Sequence, residues 1–295
     1  MDQKILVAGG TGNLGSRIIN ALIEKEAMVY ALVREGSDQS KIEEIEKMGA
    51  QVISINMTDM DALTKACDGI SCVVSALAGL HEVIVDSQSL LLGAAIAAGV
   101  PRFIPSDFSS DFTKLPAGEN RNFDLRKEFH DKLDKAAIAS TSIFNGAFTD
   151  ILGYNTPFFN QKNNTIGYWG SPDYKVDFTT MDNTAAYTAA VALDPETPRI
   201  LRIASFQISA NELSALVLEV KNKSFKLVPM GNLAELSVHN KKKRAAHPEG
   251  ENELYPSWQG SQYMHSMFSV QNQPLDNNRY PGINWTTVNE ILFAL

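Results

Sequence analysis

Residues 7–17 read VAGGTGNLGSR, and no other stretch limits the fold of this chain so tightly. An apolar run, KILVAGG (Lys4–Gly10), leads into it, and Leu14, Ile18, Ala21 and Leu22 recur beyond it at helical spacing. Gly9, Gly12 and Gly15 thus stand in a GxxGxxG spacing between a strand and a helix. Such a chain must turn sharply as it leaves the strand, bring bare backbone up to a ligand, and start its helix close against the sheet. A diphosphate makes all three demands, because the N–H groups and positive dipole end of a helix N-terminus attract an anion. The strand before and the helix after distinguish this loop from a glycine-rich turn that holds nothing. Its expected contact set is Gly9, Thr11, Gly12, Asn13, Leu14 and Gly15.

The alternation continues. MVYALVR (Met28–Arg34), QVISIN (Gln51–Asn56), SCVVSAL (Ser71–Leu77) and RFIPSDF (Arg102–Phe108) read as strands. Helical patterns lie between them: one opened by a Ser40/Glu43 capping box and stopped at Gly49, one over Met60–Ala66, and one over Ile84–Ala98. Strand–helix alternation with apolar runs implies a parallel sheet covered on both faces, and right-handed connections make it doubly wound. After residue 150 Gly, Pro and Asn become frequent. Helices are expected there at Asp182–Leu193, Ala210–Val220 and Thr287–Leu295, and strands at Arg199–Ala204 and Phe225–Val228. The basic run His239–Arg244 (HNKKKR) reads as a solvated loop. The expected class is α/β: a Rossmann-type doubly wound parallel sheet in residues 1–150, and a smaller C-terminal α/β substrate lobe in 151–295, with some segments returning to the main sheet.

The second strand indicates which dinucleotide is held. An NAD site has Asp or Glu there, on the ribose 2′-hydroxyl. This chain has LVREGS, and Arg34 puts a guanidinium where a 2′-phosphate would sit, so NADP(H) is the expected cofactor. Ser75, Ala76 and Leu77 close the fourth strand at the same edge, where small residues either leave room for the nicotinamide ribose or make a tight turn. Ser106 and Asp107 end the fifth; Asp107 either bonds a ribose, orients a donor, or caps a helix.

Composition excludes several classes. A net charge of −8 opposes broad nucleic-acid binding. No apolar run reaches the ~20 residues of a membrane span, and the N-terminal residues lack the pattern of a secretory signal, so a cytoplasmic location and no membrane partner are expected. Cys67 and Cys72 are too few for a disulfide scaffold. His81, His130 and His265 are isolated in sequence, so no metal site is expected.

GGTGNLGSRI, LVRE, VVSALAG, DSQSLLLGAAIAAGVPRFIPSDF, NFDLRKEFHDKLDKAAIASTSIFNGAF, VDFTTMDNTAAYT, ISANELSALVLEV and NNRYPGINWTTVNEIL cover nearly the whole chain. Together they resemble the atypical short-chain dehydrogenases of the NmrA-like and isoflavone-reductase-like group. The resemblance implies a Rossmann-type NADPH site and a substrate pocket under the C-terminal lobe. It implies an aromatic near the nicotinamide, which Phe148 matches, and an adenine contact after the third strand, where Asn56 replaces the usual Asp.

The chain departs from this group at the catalytic position. No tyrosine has a lysine four residues on. The isoflavone-reductase-like enzymes place lysine three residues after a phenylalanine, and here Phe123 is followed at that spacing by Arg126, with Lys127 next. Leu125, Phe129, Leu133 and Ala136 form one apolar helix face; Arg126 lies at its edge and Lys127 points nearly opposite. Arg126 therefore inherits the position, with Lys127 the candidate in a register slipped by one. An arginine, with pKa above ~12, holds an oxyanion by charge but transfers no proton. His130, one turn on, is expected to be solvent-exposed. The aromatics Phe158, Phe159, Tyr168, Trp169 and Tyr174 line an apolar pocket or form the core of the second lobe. The expected function is an NADPH-dependent reductase of a small apolar or aromatic molecule, as monomer or homodimer. The alternative is an NAD(P)(H)-binding redox sensor without turnover, favoured by the missing lysine.

Overall fold

Strand β1 (Lys4–Ala8) has Ile5, Leu6, Val7 and Ala8 fully covered, as a strand with helices on both faces must. The computed structural model describes residues 3–295. These form two compact units. The first takes the chain up to Asp107, Leu125–Ile143 and Thr184–Leu201; the second takes Phe108–Asp124, Phe144–Asn183 and Arg202–Leu295.

The first unit is built on α1 (Asn13–Ile23), β2 (Met28–Arg34), α2 (Gln39–Met48), β3 (Gln51–Ile55), α3 (Met60–Ala66), β4 (Cys72–Ser75), α4 (Gln88–Ala97), β5 (Arg102–Ile104), β6 (Ala139–Ser140) and α5 (Arg121–Leu133) from Leu125 onward. The six strands lie in the order β3-β2-β1-β4-β5-β6, and every pairing is parallel. Strand order reverses between β1 and β4, and in such sheets the ligand crevice opens beyond the carboxyl ends at that reversal. Leu6, Ala8, Leu32, Val73 and Phe103 pack against Leu63 of α3, Leu91 and Ala95 of α4, and Phe129 and Leu133 of α5. Helix α1 packs on β1, β2 and α2.

Two local expectations need correction. Asp38, not Ser40, caps α2: its carboxylate accepts from Ser40 N at 2.9 Å, a stronger cap because it also meets the helix dipole with a charge. Gly49, at φ 109°, stops the helix as expected. A π-helical turn over Glu82–Ser87 opens α4.

The second unit holds β8 (Ala147–Phe148), β9 (Phe159–Asn160), β10 (Thr165–Tyr168), β11 (Val176–Thr179), β13 (Phe206–Ile208), α7 (Ala210–Lys221), β14 (Lys226–Pro229), α8 (Leu233–Ala246), α9 (Gln259–Ser269) and α10 (Val288–Ala294). β7 (Ser142–Phe144), α6 (Met181–Leu193) and β12 (Ile200–Arg202) run across the divisions of the chain. Two three-stranded sheets, β14-β10-β9 and β13-β11-β8, surround an aromatic core. Phe158, Phe159 and Trp169 are buried in that core, with Tyr168 and Tyr174 packed against it. Phe159 stacks on Phe225 at 5.2 Å and Phe158 on Phe178 at 5.6 Å. The HNKKKR run is helical rather than a loop: Asn232 and Glu235 form a capping box that starts α8. Lys241 and Arg244 then pair with Glu119 and Glu251. Among the described residues, no helix is long and apolar enough to cross a membrane.

Candidate active site

Gly9 and Gly15, on either side of the turn after β1, have no room for a side chain. Gly9 has φ 82°, and a Cβ there would lie 2.6 Å from the Ala76 carbonyl oxygen; a Cβ on Gly15 would overlap the Gly9 carbonyl. Gly12 N donates to Gly9 O at 3.0 Å and closes the turn. Gly12 is also the N-cap of α1, in extended conformation, and no side chain caps the helix. Asn13, the one nearby candidate cap, turns its Oδ1 to Arg17 Nε at 3.1 Å. Gly12 and Asn13 are exposed, Thr11 and Leu14 half so. A bare, uncapped N-terminus behind two glycines that tolerate no Cβ fits the diphosphate of a dinucleotide.

Arg34 ends β2 opposite Ile55. Its carbonyl accepts from Ser37 N and Oγ at 3.0 and 2.7 Å, around Gly36 at φ 78°. Its side chain is exposed, and among the described residues nothing bonds or pairs with its guanidinium. Asn56 follows β3 and accepts at Oδ1 from Thr58 N and Oγ1, at 3.0 and 2.8 Å. At the end of β4, Ser75 is buried, and among the described residues its Oγ has no hydrogen-bond partner. Ala76 N donates to Ala8 O at 2.8 Å, which sets the Ala76 carbonyl over Gly9.

From there an unbroken line of contacts leads to α5. Ser106 Oγ donates to Leu77 O at 2.7 Å, and Ser106 N donates to Gln88 Oε1 at 2.9 Å. Arg126 Nε donates to Ser106 O at 2.9 Å. The glycine loop, Ser75–Leu77 and Arg126 are thus brought together at one edge of the first unit. Lys127, the next residue on α5, is half-buried, as Arg126 is. Phe148 ends β8 and belongs to the second unit.

The expectation that His130 is exposed is overturned. It is 8% exposed, and its Nε2 lies 2.6 Å from Asp107 Oδ2. Asp107 is fully buried and accepts at the same oxygen from Ser142 Oγ at 2.6 Å. Burial pushes its carboxyl up, but His130, Ser142 and the Arg126 charge outweigh that and hold it below the usual carboxylate range. Of the three roles its position suggested, these contacts of Asp107 match the orienting of a donor. Arg199 supports the cluster: Nη1 donates to Ser142 Oγ at 2.6 Å, and Nη2 bonds Asp134 at 2.8 Å. Ser142 and Arg199 carry no sequence signal, because both reach the cluster through the fold. The Arg126/His130 spacing of four was the visible trace of a shared helix face.

The NmrA-like family model matches residues 1–271. The chain belongs to the NmrA-like family. It is 31% identical over 210 residues to pinoresinol reductase 2 of Arabidopsis thaliana, a match covering 66% of each chain. It is 29% identical over 232 residues to eugenol synthase 2 of Clarkia breweri, covering 72% of this chain and 73% of that one. A solved structure of AtPrR2 with NADP+ and (+)-pinoresinol superposes with a TM-score of 0.81 at 25% identity, over 99% of this chain and 98% of that one. The matched region thus spans just under two thirds of the pinoresinol reductase's length.

Proposed function

We propose that this NmrA-like chain is a reductase that takes hydride from NADPH and acts on a small apolar or aromatic substrate. The line of contacts Gly9–Ala76, Leu77–Ser106, Ser106–Arg126 carries this reading, because it ties a bare diphosphate cradle to a fixed cation within one unit. Bound NADPH would supply the hydride. Gly9, Thr11, Gly12, Asn13, Leu14 and Gly15 would hold its diphosphate, Arg34 would pair with its 2′-phosphate, and Asn56 would meet its adenine. Ser75, Ala76 and Leu77 give the nicotinamide ribose its room. Arg126 would stabilise the negative charge that develops on the acceptor, which takes its proton from solvent, since the guanidinium transfers none. The solved relative with NADP+ and (+)-pinoresinol supports the substrate class.

Residues 151–295 supply most of the substrate lobe in this reading. The protein works in the cytoplasm as a monomer or homodimer. Its two free thiols are buried and inert there: burial pushes Cys67 up to about 11 and Cys72 up to about 12.

The test is NADPH oxidation over a panel of quinones, enals and phenolic ethers, with Arg126→Ala, Arg126→Lys and Lys127→Ala run beside the natural protein. Turnover of one acceptor class is expected. Arg126→Ala should lower kcat roughly 100-fold, the usual loss for one oxyanion donor, and Lys127→Ala should cost less. A larger loss at Lys127 moves the role to that residue. The substitution of the family lysine by Arg126 favours a second reading, a redox sensor; tight NADPH binding with no turnover of any acceptor would establish it.

A further inference from the structure

We propose that the buried Asp107–His130 pair positions Arg126 by fixing the rotation of α5 against the exit of β5. The proposal rests on the reading of Arg126 as the group that meets developing charge.

The exit of β5 is tightly turned. Asp107 N donates to Pro105 O at 2.9 Å, so the consecutive residues Ser106 and Asp107 present different groups to α5. Ser106 offers its carbonyl to Arg126, and Asp107 offers its carboxylate to His130. Arg126 and His130 are four residues apart, one above the other on the same helix face. A single contact lets a helix pivot; two contacts one turn apart fix its phase. The apolar contacts of Phe129 and Leu133 hold α5 down without that directionality.

The reference against which α5 is set is itself rigid. Ser106 is tied to Gln88 and to Leu77 independently of α5. The orientation of His130 is also determined. Arg199 Nη2 lies 3.4 Å from His130 Nδ1, and because a guanidinium only donates, this contact favours Nδ1 as acceptor with an Nε2–H aimed at Asp107. Ser142 donates to the same Asp107 oxygen, and Asp134 anchors Arg199 from outside. Asp107, Ser142 and Arg199 favour the same orientation of the imidazole ring, and His130 is a positioning residue rather than a catalytic one.

Hydrogen exchange of the Arg126 Nε–H, followed by 15N NMR, reads this directly, because that proton is the one bonded to Ser106 O. It is to be measured in the natural protein and in His130→Ala, His130→Gln and Arg199→Ala, beside NADPH affinity and acceptor kinetics. In His130→Ala the exchange should rise at least tenfold and kcat fall at least tenfold, while NADPH affinity and the acceptor KM shift less than threefold. His130→Gln keeps an N–H aimed at Asp107 and should restore most of both. Arg199→Ala should act in the same direction but more weakly, and it decides the matter with the Gln variant if His130→Ala does not fold. An Arg126 Nε–H that stays protected in the variants that fold overturns the proposal, as does a kcat loss that Gln fails to rescue. If Arg126→Ala itself turns over normally, the reading of Arg126 fails, and the exchange data still decide whether the pair positions it.

Discussion

Arg34 stands at the end of β2 in solvent, with its guanidinium unclaimed by the described residues. NADPH should therefore raise Tm well above what NADH achieves, and Arg34→Ala should shrink that preference, with about a tenfold loss in NADPH affinity, or ~1.4 kcal/mol. Equal shifts from both dinucleotides in the natural protein would refute the assignment. At Gly15 the consequence is steric. Any Cβ collides with the Gly9 carbonyl, so Gly15→Ala should abolish measurable NADPH binding in a fluorescence titration, whereas an unchanged affinity would show that the loop is not the seat. These residues were legible in the sequence because their demands are local: a turn, a close approach, a strand end. His130 was not, since its burial depends on Asp107, 23 residues away in the chain, and on Ser142 and Arg199 arriving from other elements.

Between elements, one buried carboxyl makes stability depend on pH. Asp177, on β11, accepts from Gln207 of β13 at 2.6 Å and from Asn272 N at 2.7 Å. Burial still pushes it up to about 6, from the ordinary 3.8. Between those values the folded chain binds more protons than the unfolded one. The stability contributed by the protonated carboxyl is therefore full below about 3.8 and is lost as pH rises through about 6, by up to ~3 kcal/mol. Urea unfolding of Asp177→Asn beside the natural protein from pH 4 to 8 should show the natural protein losing stability across that window relative to the variant; parallel profiles would contradict this. Some elements were legible to the residue: β2 and α3 have the bounds their apolar patterns predicted. Helix α9 was not, because its buried face mixes Gln259, Gln262, His265 and Ser266 with Met264, Met267 and Phe268, so the apolar stripe is short and interrupted by covered polar residues. In α8 the basic run concealed a helix that its capping box starts several residues earlier.

At the scale of the whole molecule, strand–helix alternation was enough to reach the doubly wound sheet, because parallel strands admit few connections. The passages of the chain from one unit to the other, among them those within α5, β7, α6 and β12, have no local signature; they are fixed by which distant segments pack together. The chemistry inferred for the NmrA-like chain depends on one seat at the sheet's strand-order reversal. The most direct test of it is a crystal structure grown with saturating NADP+. Diphosphate oxygens are expected about 3 Å from backbone N–H groups within residues 12–15. A dinucleotide bound elsewhere, or a vacant crevice at saturating ligand, would contradict it.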